Sequence, residues 1–164
     1  MQTVPITPSL SVADQIDERD VGALAAAGFK SIICNRPDSE GGTPSDRIRA
    51  ACERHGLKFF FQPVVYSGLG LADGDTFGQI LQQSDEPVLA YCRSGRRSVA
   101  LWAIAAAPLA GAAAVLARAA RIGVGLDELG PVLVRSAARA DPAYAPSSDP
   151  GARERFMRLW IKES

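Results

Sequence analysis

Seven consecutive residues, Cys92-Arg93-Ser94-Gly95-Arg96-Arg97-Ser98, put a nucleophile, three cations and a glycine in one short loop. The thiolate is the reactive form of cysteine, and nearby positive charge favours it. Arg93, Arg96 and Arg97 supply that charge. Gly95 permits backbone angles that other residues resist, so successive N–H groups can turn inward as an anion-holding nest. A helix starting near Arg97 or Ser98 aims its free N–H groups and positive dipole end at the same point. Ser98 adds a hydroxyl that can hydrogen-bond the sulfur and assist it as a leaving group. The loop therefore offers thiolate attack on a small anion. Residues 93–96 form the anion cradle, and Arg97 is the main cation.

The other two cysteines lack such surroundings. Cys34 ends the apolar run Ser31-Ile32-Ile33-Cys34, and Cys52 follows Ala50 and Ala51 inside an expected helix; both read as small buried hydrophobes. His55, the only histidine, precedes Gly56 at a helix C-terminus, where a cation complements the dipole. These residues have no metal-ligand spacing, and neither a metal nor a cofactor is expected. If the reaction needs a general acid, Asp38 is the first candidate and Asp75 the second, with Glu40 and Asp73 nearby. The other uses of these residues are a turn for Asp38 and a helix N-cap for Asp75. Arg36, fixed by Pro37, is either an ion partner for Asp38 or a further anion contact.

The segments before the loop must carry it to a cleft. The first ninety residues alternate strand-like and helix-like runs, which predicts an α/β layer structure. Asp17 caps a helix to about Ala27, with Gly28 as its stop. Thr43-Pro44-Ser45-Asp46 opens a helix that ends at Gly56, with Thr43 as cap and Pro44 in the first helical position. A strand follows from Leu57 to Val65, then a helix from Asp75 or Thr76 to near Gln83. Pro87-Val88-Leu89-Ala90-Tyr91 is a strand leading straight into Cys92, placing the sulfur at the carboxyl end of the sheet, where open α/β sheets form their clefts. Three or four helices follow, separated near Pro108, 123–125 and 141–150. The last begins at Ser148-Asp149-Pro150 and carries Phe156, Met157, Trp160 and Ile161 on one face. That face docks on the core or, in the alternative, forms a homodimer.

With 164 residues, 47% of them hydrophobic, the chain reads as one domain: an α/β catalytic core over 1–107 and a helical extension over 108–164 packed on it. Lys plus Arg and Asp plus Glu number 18 each, so no global field recruits nucleic acid or an anionic membrane. Three scattered cysteines without a secretory leader read as a cytoplasmic protein. Residues 99–117 are uncharged, but ten of these 19 are alanine and Pro108 and Gly111 interrupt them. Two short buried helices with a break at Pro108 account for the run better than a membrane span.

The loop resembles the active loop of rhodanese-type sulfurtransferases. The wider chain resembles the phosphatase-like domain found alone or fused in β-lactamase hydrolase-like proteins. That likeness is carried by Gln15-Ile16, Ala27-Gly28-Phe29, Ile33-Cys34-Asn35-Arg36-Pro37-Asp38-Ser39-Glu40, Phe61-Gln62-Pro63-Val64 and Tyr91 to Trp102, over about residues 1–107. It implies a fold like the protein tyrosine phosphatases, with a mostly parallel sheet of four or five strands flanked by helices. Tyrosine phosphatases resemble one another in having five residues between cysteine and arginine; here there are four, as in rhodaneses. The shorter ring has one amide donor fewer, which suits a persulfide sulfur better than three phosphoryl oxygens. Sulfane transfer also needs no general acid. The leading expectation is a sulfurtransferase with a Cys92 persulfide, taking thiosulfate or a persulfide as its small anionic substrate. The alternative is a phosphatase with a Cys92 thiophosphate, Arg97 gripping the phosphoryl oxygens and Asp38 or Asp75 as the acid. A third reading is a sensing module in which Cys92 is modified once without turnover.

Overall fold

The computed structural model describes residues 1–139 together with 150 and 151. The expected last helix, with its docking or dimer face, lies outside the described residues. The chain begins with β1 (Thr3–Thr7), β2 (Leu10–Ala13), α1 (Glu18–Ala26), β3 (Ser31–Cys34), α2 (Ser45–His55) and β4 (Lys58–Phe61). It continues with α3 (Leu71–Gln83), β5 (Val88–Tyr91), α4 (Arg96–Ala110), α5 (Ala112–Arg121) and α6 (Gly130–Ala137). Short 3₁₀ turns occupy Asp38–Glu40, Tyr66–Gly68 and Asp127–Leu129.

Strands apolar on both faces require a covering layer on each side. β3 and β5 are buried at every position. Ile33, Val88 and Ala90 face a core built with α3, α4, α5 and α6, while Ile32, Cys34, Leu89 and Tyr91 face α1 and α2. The sheet order is β1-β2-β5-β3-β4, parallel throughout except for β1, which is antiparallel at the edge. The expected α/β architecture is therefore present, with five strands. The β1–β2 hairpin leaves no alternating pattern in the sequence, because Pro5 and Pro8 interrupt it. Pro5 is tolerated at the sheet edge, and the pairing slips between Pro5 and Thr7.

Aspartate side chains hold the starts of α1, α2 and α3. Asp17 caps α1 as expected, accepting from the N–H groups of Arg19 and Asp20. For α2, however, Pro44 rather than Thr43 occupies the cap position, and the acceptor comes from Asp38, seven residues before Ser45. α3 starts at Leu71, ahead of Asp75, with Asp73 accepting from Gly70 N–H at 2.9 Å.

α4 also departs from expectation. Residues 98–107 are all buried, as in a helix enclosed by its neighbours. Pro108 does not break it; the chain turns instead at Gly111, whose φ of 88° suits glycine. A proline has no N–H for the carbonyl four residues earlier, here that of Ile104. The buried Ser136 hydroxyl of α6 donates to that carbonyl at 2.6 Å. A neighbouring helix thus satisfies what the proline leaves open. Among the described residues, no helix is long and apolar enough to cross a membrane.

Ser136→Ala removes that donor and leaves a buried carbonyl unsatisfied, at an expected cost of about 1–3 kcal/mol. Urea denaturation measures it. A loss below about 0.5 kcal/mol would mean that the bond adds little beyond what solvent supplies.

Candidate active site

The carboxyl ends of β3, β4 and β5 are joined through Asn35, which is fully buried. Its N–H donates to Tyr91 O at 2.8 Å, and its carbonyl accepts from Val64 N–H at 3.2 Å. Its side-chain amide donates to Gln62 O at 3.1 Å, and its Oδ1 accepts from the Ser98 hydroxyl at 2.8 Å. The chain leaves β5 here. Cys92 N–H donates to Ala13 O at 3.4 Å, and Gln15 N–H donates to Arg93 O at 3.2 Å, fastening the loop to the segment after β2.

Gly95 turns the loop into α4. Its φ of 91° lies in the left-handed region, and its N–H donates to Cys92 Sγ at 3.1 Å. α4 begins at Arg96, one residue sooner than expected, so the sulfur lies at the helix N-terminus. Cys92 itself is fully buried. A backbone donor and a positive helix end both favour negative charge on that sulfur. Burial pushes the other two thiols up, Cys52 to about 11, which leaves them protonated at neutral pH.

The cations around the loop are mostly engaged. Arg97 makes a bidentate pair with Glu40, Nη1 to Oε1 at 2.7 Å and Nη2 to Oε2 at 2.8 Å, and Nη1 also donates to Val64 O at 2.9 Å. Glu40, with the Cys92 sulfur adding to it, holds Arg97 firmly protonated; Arg97 in turn pulls the Glu40 carboxyl below the usual carboxylate range. Arg36 donates to Gln15 Oε1 at 2.6 Å and Glu40 O at 2.8 Å, with Nε 3.4 Å from Glu40 Oε2. Its ion partner is therefore Glu40, not Asp38. Arg96 pairs with Glu128, donates to Gly125 O at 3.2 Å and lies 4.2 Å over the Tyr66 ring. It forms a wall beside the loop rather than part of an open anion cradle. Ser94 Oγ stands 3.5 Å from Arg96 N–H. Arg93 is exposed and, among the described residues, its side chain has no hydrogen bond or ion pair.

Other expected roles are also revised. The Ser98 hydroxyl proton is committed to Asn35, not to the sulfur. Both oxygens of Asp38 accept from Ser45, from N–H at 2.8 Å and from Oγ at 2.7 Å, so this carboxylate serves as the cap of α2. Asp75 lies inside α3 and pairs with Arg139 at 2.9 Å. Each carboxylate considered as an acid thus has a partner. The sequence alone gives Asn35 and Gln15 no role, nor does it show the clamp between Glu40 and Arg97. An asparagine that ends an apolar strand just before Arg36-Pro37 was the available sign.

These features can be set beside known proteins. The family model "Beta-lactamase hydrolase-like protein, phosphatase-like domain" matches residues 3–112. A beta-lactamase hydrolase-like protein of Agrobacterium fabrum is 34% identical over 106 residues, 63% of this chain and 25% of the relative. The chain thus matches about a quarter of that relative's length. The crystal structure of a candidate phosphatase from Neisseria meningitidis Z2491 has a TM-score of 0.71 and 34% identity, covering 81% of this chain and 96% of that one. Tk-PTP in its active form has a TM-score of 0.68 at 16% identity, with 84% and 97% covered, which shows the fold alone. The architecture is that of the protein tyrosine phosphatases, and these likenesses back the phosphatase alternative better than sulfur transfer. The family match runs from β1 through the whole of α4, and the chain belongs to the phosphatase-like domain family of the beta-lactamase hydrolase-like proteins.

Proposed function

We propose that this phosphatase-like domain uses Cys92 to transfer a sulfane sulfur. The thiolate attacks the outer sulfur of thiosulfate or a persulfide. The old S–S bond breaks, and its electron pair leaves with sulfite or a thiolate. The Cys92 persulfide then passes the sulfur to a thiol or cyanide. The observation carrying this reading is the four-residue spacing from Cys92 to Arg97, closed by the Gly95 N–H on the sulfur. The engaged carboxylates support it, since neither leaving group requires a proton.

The second reading is phosphoryl transfer through a Cys92 thiophosphate, and its support is family membership and the likeness to the Neisseria protein. In that reading Arg97 exchanges Glu40 for phosphoryl oxygens. With Asp38 and Asp75 engaged elsewhere, substrates whose leaving group departs as an anion, such as aryl phosphates, react best.

Intact mass after brief incubation with thiosulfate, beside para-nitrophenyl phosphate hydrolysis on the same sample, decides between them. The expected result is a gain of one sulfur atom that is absent in Cys92→Ser, because oxygen is a much poorer nucleophile at neutral pH. An unchanged mass with Cys92-dependent phosphate release would overturn sulfur transfer in favour of the second reading.

The clamp makes a further prediction. Glu40→Ala frees Arg97 and slows the Cys92 reaction about tenfold, in line with the sensitivity of catalysis to small misplacements. Asp38→Ala costs about 1 kcal/mol through the lost cap of α2 while the rate stays within about twofold. An equal rate loss in both variants would return Asp38 to the reaction. Because the folded-state pKa of Glu40 is lowered, the clamp is present at neutral pH and lost only as pH falls through that value.

A further inference from the structure

A groove of about 480 Å³ borders the loop, between the β1–β2 hairpin and the segment after α5. Val4, Val12, Ile122 and Val124 supply its apolar wall, and Asp14 and Arg93 supply opposite charges. Asp14 Oδ1 accepts from Gln2 N–H at 2.9 Å, which leaves Oδ2 available. Among the described residues, Arg93 has no side-chain partner, and Asp14 and Arg93 do not pair with each other. A ligand with one charge satisfies only one of them and leaves the other facing it uncompensated. A zwitterion matches both, and the apolar wall accommodates its aliphatic portion. Gly95 lines the same groove, and its N–H lies 3.1 Å from the Cys92 sulfur.

We infer that this groove is a subsite for a small thiol with an α-amino-acid head, its carboxylate on Arg93 and its ammonium on Asp14. The chemistry assigned to it rests on the sulfur-transfer reading, in which this thiol is the acceptor. Its thiolate attacks the outer sulfur of the Cys92 persulfide. A new S–S bond forms as the bond to Cys92 Sγ breaks, and that electron pair restores the Cys92 thiolate. The acceptor leaves as a persulfide, and no external oxidant or reductant is consumed.

S-methylcysteine retains both charges but cannot react, so it tests the subsite separately from the reaction. In amide NMR titrations of the full chain, saturable shifts are expected at residues 13–14 and 93–95. The deaminated and decarboxylated analogues bind at least about tenfold more weakly, and so does S-methylcysteine to Arg93→Ala and to Asp14→Asn, as expected for a lost charge-assisted contact. Absence of saturable shifts, or equal binding of both analogues, overturns the subsite. If the probe binds but thiosulfate leaves the mass of Cys92 unchanged, the subsite stands and the sulfur-transfer reading falls. If the mass rises but the probe does not bind, only the subsite falls.

Discussion

Asn35 engages both backbone groups and both ends of its side-chain amide, and each bond reaches a different segment. One goes to the end of β5, a second to the exit of β4, a third to the loop at Val64 and the fourth to the first turn of α4. A buried amide with such a set of partners costs little; the same amide with one removed carries a desolvation penalty. The strand ends, the Cys92 loop and the helix behind it are thereby held in one arrangement. Val64 extends the linkage, since its carbonyl accepts from Arg97 while its N–H donates to Asn35. The cation and the scaffold share a residue.

Electrostatics at the site are local, and much of the positive charge is held by carboxylates. Glu40 neutralises Arg97 and lies against Arg36, and Glu128 neutralises Arg96. The arginine-rich loop is thus less electropositive than its composition suggests. The sulfur meets an oriented backbone donor, a helix end and the Arg97 guanidinium, the first two being fixed dipoles that need no rearrangement as charge develops. Arg93 remains as the loop cation with an open guanidinium, and it faces the groove. The heptapeptide thus holds two kinds of position, a sulfur contacted by backbone at its centre and an exposed arginine at its edge.

Features resting on neighbouring residues were legible in the sequence. The cysteine with its glycine turn, the Asp17 cap and the apolar strands β3 and β5 all stand out locally, because their patterns span a few positions. Features resting on distant side chains were not. Ser136 meets Ile104 across 32 residues, Glu40 meets Arg97 across 57, and Ser98 meets Asn35 across 63. Pro108 reads as a helix break until another helix is seen to supply the missing bond. Asp38 reads as an acid beside the site until its oxygens are seen on Ser45. The hairpin stayed hidden because Pro5 in the edge strand and Pro8 in the turn imitate a loop.

An architecture shared with phosphatases and the four-residue spacing from Cys92 to Arg97 do not contradict each other, because the two bear on different steps. The sheet and α4 determine that a cysteine sulfur is delivered to a helix N-terminus, and any thiolate reaction on a small anion can use that placement. Which anion reacts depends on what the leaving group requires. An alkoxide departing from phosphorus requires a proton, and a site whose candidate carboxylates are tied to Ser45, Arg97 and Arg139 is poorly placed to give one. Sulfite, a thiolate or an aryl oxide leaves without that help. The fold therefore places the Cys92 sulfur, while the partners of Asp38, Glu40 and Asp75 bear on the leaving groups such a site accepts, and a shared architecture does not by itself fix a reaction.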